Sequence, residues 1–234
     1  MGKIVAIGGG RYDNGEITNI IGDIVSLCDK KNPKMLFLPT AGFDDVEGDQ
    51  FMEQAFRDNG CTTDRLFLTD KSLTEDDVKN AILSADIIYA GGGNLEFLMN
   101  TWKETKADKY LREAYEKGII LSGYSSGAMC WFDSGYDDCG PDHSFVFIEC
   151  LGILPFCNCP HFQGGNWPSF GEAIKTRDEY GIAVDNGAAI VFDEDKVYCV
   201  NGNEDGDVYF IDKKDGYKQI NITENAEIVK KFLN

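Results

Sequence analysis

The sequence predicts an α/β fold: a mostly parallel central sheet with helices on both faces and a small antiparallel edge near the C-terminus. Three observations carry this expectation. Over the first two-thirds, short β-rich runs alternate with stretches of helical periodicity, the order that parallel strands and crossover helices require. Those stretches keep their apolar residues on one stripe, as Ile17, Ile20, Ile21, Ile24, Leu27 and Cys28 do. The last third loses the alternation and reads as strands joined by tight polar turns. A chain of 234 residues fits one such domain over residues 1–234, and no linker, repeat or low-complexity stretch divides it.

The elements follow in order. Residues 3–7 form a first strand that runs into Gly8-Gly9-Gly10, and the stripe at 17–28 forms the first helix. Strands are expected at 35–38 and 65–68. Thr74-x-x-Asp77 then stands where a capping box would, ahead of Val78, Ile82 and Leu83, and so opens a helix. A strand at 86–90 leads into helices at about 94–99 and 107–117, the second ended by Gly118 as a left-handed cap. A strand at 119–122 completes the parallel set. Residues 189–192, 197–200 and 207–211 supply the antiparallel edge, and 224–232 a closing helix.

Composition excludes several classes of function. With 22 Lys and Arg against 40 Asp and Glu, the net charge is −18, a surface that repels phosphate backbones and anionic lipid, so neither nucleic acid nor membrane is an expected partner. The longest apolar runs fall far short of the roughly 20 residues of a spanning helix. No secretion signal is visible at the start, and the 43% hydrophobic content describes a packed globule. The 8 cysteines lack any C-x-x-C spacing and the chain holds 2 histidines, so zinc is not expected, and a reducing cytoplasm is the economical setting.

The most informative segment is Ile119-Ile120-Leu121-Ser122-Gly123-Tyr124-Ser125-Ser126-Gly127-Ala128. A β run followed at once by G-x-S-x-G and a helix is a nucleophile elbow in its required context: the glycines permit the strained turn, and Ser125 is lifted above the sheet edge. Ser125 needs a base, and the imidazoles on offer are His143 and His161. His143 lies in an acidic loop, where a solvated histidine is expected. His161 sits in Cys159-Pro160-His161-Phe162-Gln163-Gly164-Gly165, a Pro- and Gly-framed loop of the kind that carries catalytic groups. Acidic residues are too abundant for composition to single out a third member. The turn Gly91-Gly92-Gly93-Asn94 follows a strand and opens a helix, where bare backbone can aim N–H groups at an oxyanion. Neither it nor Gly8-Gly9-Gly10 fits a nucleotide-binding fingerprint, and no cofactor is expected.

At these segments the sequence resembles peptidase E, the α-aspartyl dipeptidases, and more distantly the cyanophycinases. The resemblance rests on Gly91–Asn94, on the elbow at Gly123–Ala128 and on Pro160-His161-Phe162, and it covers about residues 1–210. It implies a three-layer α/β sandwich similar to class I glutamine amidotransferase domains, and a serine peptidase acting on small peptides. Carried over by position, Ser125 matches the nucleophile, His161 the base, Gly93 and Ser126 the oxyanion-hole donors, and Asp185 in Gly181-Ile182-Ala183-Val184-Asp185-Asn186-Gly187 the triad acid. Two departures stand out. Peptidase E carries an arginine-rich stretch between histidine and acid that recognises an N-terminal aspartate, whereas here the interval spans 24 positions and offers Lys175 or Arg177 outside that motif. A site lacking that arginine, in so acidic a chain, is expected to exclude anionic side chains. Ser126 also stands where alanine is common in the family.

Asn201-x-Asn203-x-Asp205-Gly206, with Asp212 at the twelfth place, imitates an EF-hand loop. Strand-like runs on both sides argue instead for a hairpin turn, and no metal is expected.

Overall fold

The computed structural model describes residues 2–47, 49–162, 167, 169–202 and 206–233. The chain runs β1 (Ile4–Ile7), α1 (Thr18–Ser26), β2 (Lys34–Leu38), α2 (Gln50–Asp58), β3 (Thr62–Arg65), α3 (Glu75–Leu83), β4 (Ile87–Ala90), α4 (Leu95–Thr105), α5 (Ala107–Glu116), β5 (Ile120–Tyr124) and α6 (Ser126–Met129). It continues through β6 (Phe132–Asp137), β7 (Val146–Glu149), β8 (Leu154–Cys159), α7 (Phe170–Ala173), β9 (Gly181–Val184), β10 (Ala188–Asp193), β11 (Lys196–Asn201), β12 (Val208–Asp212) and β13 (Lys218–Asn221). A 3-10 run over Ala226–Phe232 closes it.

The central sheet has the order β11-β10-β1-β5-β4-β2-β3. Its strands from β1 to β3 are parallel, and β10 and β11 form the antiparallel edge expected from the sequence. Period-two alternation divides its side chains between two cores. Val5, Ile7, Met35, Phe37, Ile87 and Tyr89 pack with residues of α1 and α2, while Ile4, Ala6, Leu36, Leu38, Ile88 and Ala90 pack with residues of α3, α4 and α5. Helices therefore cover both faces. At the start of α3, Thr74 and Asp77 form the reciprocal capping box that their spacing predicts.

The structure adds a second, six-stranded sheet, β13-β12-β9-β8-β6-β7, that the sequence did not reveal. Its inner residues, such as Phe132, Phe156, Ile182, Val184 and Phe210, join the core beneath α3 to α5, and its outer residues, such as Cys157, Ala183 and Ile211, pack under α7. This sheet corrects the expected hairpin at 201–212. β11 pairs with β10 in the central sheet, whereas β12 pairs with β9 and β13 in the second, so the connection crosses between sheets. Of that EF-hand-like pattern, Asn203 and Asp205 lie outside the described residues, and among the described residues no cluster of metal-ligating side chains occurs. The strand expected at 65–68 lies earlier, at β3, and the closing helix is 3-10 rather than α. No helix among the described residues is long and apolar enough to cross a membrane.

Candidate active site

Parallel strands deliver their loops to one end of a sheet, and here that end gathers the turns after β1, β4 and β5. The elbow is built as its glycines require. Ser125 is held at φ 55° and ψ −124°, a region costly for any residue with a side chain. A Cβ at Gly123 would lie 2.3 Å from the Gly127 carbonyl oxygen, and one at Gly127 would lie 2.1 Å from the Ala90 carbonyl oxygen. Neither position accepts anything larger. The turn is closed by Ser125 N–H donating to the Ile7 carbonyl at 3.1 Å and by the Ala128 and Met129 amides donating back to the Ser125 carbonyl at 2.9 and 3.1 Å.

His161 follows β8 of the second sheet and reaches across to this elbow. Its backbone N–H donates to the Gly8 carbonyl at 3.0 Å, its Nε2 lies 2.9 Å from Ser125 Oγ, and its Nδ1 lies 2.6 Å from Asn186 Oδ1. The amide oxygen only accepts, so the proton belongs on Nδ1 and the Nε2 lone pair faces the serine hydroxyl. The Trp167 ring packs against the imidazole at 5.4 Å between centroids. His143 is exposed in a surface turn.

The third position corrects the sequence reading. Asn186, not Asp185, meets the imidazole. Asn186 stands in the tight turn after β9, closed by the Ala188 N–H donating to the Asp185 carbonyl at 3.3 Å, and it is this turn that presents its side chain to the imidazole. Asp185 is buried and turns toward β12, where its Oδ2 accepts from the Asp207 amide at 3.1 Å. The sequence signal for Asn186 amounts to its place beside that acid.

The glycine-rich turns position the remaining groups. Gly93 has φ 142°, and a Cβ there would lie 2.2 Å from the Ala41 carbonyl oxygen, so glycine is obligatory. One on Gly92 would sit 3.1 Å from Ser125 Cβ, which places this turn alongside the nucleophile. The Gly93 and Ser126 amides are thereby brought beside Ser125, and among the described residues neither N–H takes part in the backbone hydrogen-bond network. Gly8-Gly9-Gly10, which matched no nucleotide motif, backs the imidazole: a Cβ at Gly9 would lie 2.2 Å from His161 Cε1 and 2.3 Å from Asn186 Oδ1.

Lys175 and Arg177 are placed elsewhere. Arg177 precedes the N-terminal end of β9, the opposite end of the second sheet from His161, and its guanidinium pairs with Glu149 at 2.6 Å and Glu179 at 2.7 Å. Lys175 pairs with Glu172 at 2.6 Å on the surface. Nearer in the chain to the imidazole cradle is Arg11, whose guanidinium is paired with Asp13 at 2.6 Å. Trp131 belongs to the core, against Trp102, while Tyr124 is half-buried and stacks on Tyr89.

Burial lowers the His161 pKa below 6.5, and the Asn186 hydrogen bond and the more distant Asp138 charge oppose that only in part. A base must be neutral to accept a proton. More than half of the activity is therefore kept at pH 6.5, and the acid limb of kcat/KM has its midpoint under 6.5. Asn186→Asp places a carboxylate on Nδ1, favours the imidazolium and moves that midpoint upward; a pH–rate profile of the two proteins that coincides would dismiss Asn186 as the imidazole's partner.

Comparison with known proteins converges on one family. The sequence pattern described as Peptidase family S51 matches residues 4–200. An uncharacterized peptidase of Bacillus subtilis (strain 168), YgaJ, is 34% identical over 212 residues, covering 88% of this chain and 90% of that protein. An uncharacterized peptidase of Pasteurella multocida (strain Pm70), PM1590, is 28% identical over 191 residues, covering 75% and 88%. Among solved structures, a peptidase from an acI-B1 Actinobacterium superposes with a TM-score of 0.67 at 22% identity, covering 95% of this chain and 94% of that one. A putative peptidase E protein from Listeria monocytogenes EGD-e gives 0.65 at 17% identity, covering 86% and 98%. These two establish likeness of fold.

Proposed function

This chain belongs to peptidase family S51, and from that premise we propose that it is a serine-type peptidase that cleaves small peptides through an acyl-enzyme on Ser125. One observation above all supports the reading: an elbow serine whose Oγ stands 2.9 Å from an imidazole Nε2 with the other ring nitrogen engaged by a side-chain acceptor. In the reaction, Ser125 Oγ attacks the scissile carbonyl as Nε2 takes its proton. The Gly93 and Ser126 amides receive the oxyanion, and the imidazolium returns the proton to the departing amine. Water then repeats the sequence against the ester and frees Ser125. Asn186 keeps the productive tautomer but, being neutral, lends the imidazolium no full charge. The same hydrogen bond disfavours a retired binding protein, in which serine and histidine would have parted.

For substrate, the placement of Lys175 and Arg177 supports a neutral rather than an aspartyl N-terminal residue, since neither cation stands beside Ser125. Against Asp-X, Glu-X and neutral-X dipeptides, the neutral series is expected to turn over fastest. A clear preference for Asp-X would restore the aspartyl specificity of peptidase E and point to Arg11 as its receptor. A cytoplasmic setting completes the reading, supported by 8 cysteines that are all free thiols.

A further inference from the structure

We propose that the Ser126 hydroxyl and the Asp137 carboxyl form a brace that fixes the two halves of the oxyanion hole against each other. Both are then positioning residues for the hydrolysis proposed above, on which this inference rests. The two oxyanion donors come from different connections, Gly93 from the turn between β4 and α4 and Ser126 from the start of α6. The sheet register holds these connections together only as far as Ala90 opposite Gly123. Beyond that pair, a side chain joins them: Ser126 Oγ donates to the Gly93 carbonyl at 2.6 Å. With the Asn94 N–H donating to the Ala41 carbonyl at 2.8 Å, Gly93 is pinned on its C-terminal side as well.

Behind this contact stands Asp137 on β6 of the second sheet. Its Oδ2 lies 3.2 Å from Ser126 Oγ and its Oδ1 accepts from the Cys139 amide at 3.0 Å. Ser126 is 0% and Asp137 1% exposed, and among the described residues no cation pairs with that carboxyl. A buried carboxyl without a counter-ion is costly unless it is neutral or serves a local purpose. The proton count supplies the purpose. A serine hydroxyl has one proton, and both a carbonyl and a carboxylate only accept. With Asp137 ionised the single hydroxyl proton is shared between the two acceptors; with Asp137 as the protonated acid each contact has its own proton, Asp137 donating to Ser126 Oγ while Ser126 donates to Gly93. Burial and the adjacent Asp138 push Asp137 in that direction; the bonds from the Cys139 thiol and amide and from Ser126 oppose it, and the Cys139 and Cys150 thiols within its field are themselves held neutral by burial. An amide at 137 would copy the protonated acid, since its NH2 donates to Ser126 Oγ and its oxygen accepts from Cys139.

The test measures the rate at which a fluorophosphonate labels Ser125, together with kcat and KM on a neutral dipeptide and a thermal melt for each variant. Ser126→Ala and Asp137→Ala are each expected to slow labelling and lower kcat by about 5- to 30-fold, less than loss of a whole oxyanion donor, with KM within about twofold. Asp137→Asn recovers most of the rate that Asp137→Ala loses, and the double variant Ser126→Ala/Asp137→Ala is no slower than the worse single, because Asp137 acts through the hydroxyl. Where Asp137→Ala fails to fold, Ser126→Ala and Asp137→Asn still decide. Labelling of Ser126→Ala within twofold of wild type, or multiplicative losses in the double variant, overturns the brace. A wild-type protein that no fluorophosphonate labels overturns the hydrolase reading itself, a result distinct from labelled wild type with an unaltered Ser126→Ala.

Discussion

Alanine at position 125 removes turnover, by roughly 10⁴- to 10⁶-fold in kcat, and abolishes covalent labelling by a fluorophosphonate. His161→Ala falls into the same range, and the double variant loses little more than either single, because nucleophile and base act as one unit. Stability behaves differently. Ser125 occupies a backbone region at φ 55° and ψ −124° that glycine tolerates and other residues do not. Alanine keeps the strain and loses the hydrogen bond to His161, so it unfolds slightly earlier than wild type. Glycine relieves the strain, so Ser125→Gly is expected to exceed Ser125→Ala by about 1 kcal/mol, roughly 2–4 °C in Tm for a chain of this size. Of two inactive variants, the greater stability of the one without a side chain is the mark of a residue held in a strained conformation for chemistry. Calorimetry with a peptide hydrolysis assay checks both halves, and retention of more than about one hundredth of the wild-type rate by Ser125→Ala would exclude this serine as the nucleophile.

What the sequence disclosed follows from the length scale of each signal. The elbow is local: Gly123 and Gly127 are two residues either side of Ser125, and a strand before with a helix after suffices to interpret them. The same holds for the parallel strands β1, β2 and β4, whose apolar runs are continuous, and for the Thr74 capping box, but not for β3, which reads Thr-Thr-Asp-Arg. The second sheet was hidden because several of its strands are chemically mixed. β6 reads Phe-Asp-Ser-Gly-Tyr-Asp, with glycine and two acids, and becomes a strand through pairing with β7 and β8. Asn186 was hidden for another reason. Choosing between adjacent residues 185 and 186 depends on how the tight turn after β9 aims its side chains, which no periodicity reports. The Gly8-Gly9-Gly10 turn was visible but had no partner in sequence, since the histidine it supports lies some 150 positions away.

That turn supports the second large prediction, in which catalysis and stability separate. A Cβ at Gly9 would meet His161 Cε1 at 2.2 Å, His161 Nδ1 at 2.3 Å and Asn186 Oδ1 at 2.3 Å. All three belong to side chains, which swing aside, unlike the Ala41 carbonyl that a Cβ at Gly93 would strike. Gly9→Ala therefore leaves the fold largely intact, at a cost of about 1–3 kcal/mol for a positive φ, while it drives the imidazole off Ser125 and off its acceptor together. Loss of a positioned general base lowers kcat by about 10²- to 10⁴-fold. Gly93→Ala forces backbone against backbone and so lowers Tm more steeply than Gly9→Ala. Gly171→Ala serves as the reference: its new Cβ meets nothing within 4 Å, and both activity and melting stay at wild-type level. If Gly9→Ala hydrolyses peptides at the wild-type rate, the imidazole does not depend on the cradle, and the part given to Gly9 in positioning His161 is excluded. If instead it melts as early as Gly93→Ala, the turn is a structural joint, and its closeness to the histidine is a consequence of packing rather than of catalysis.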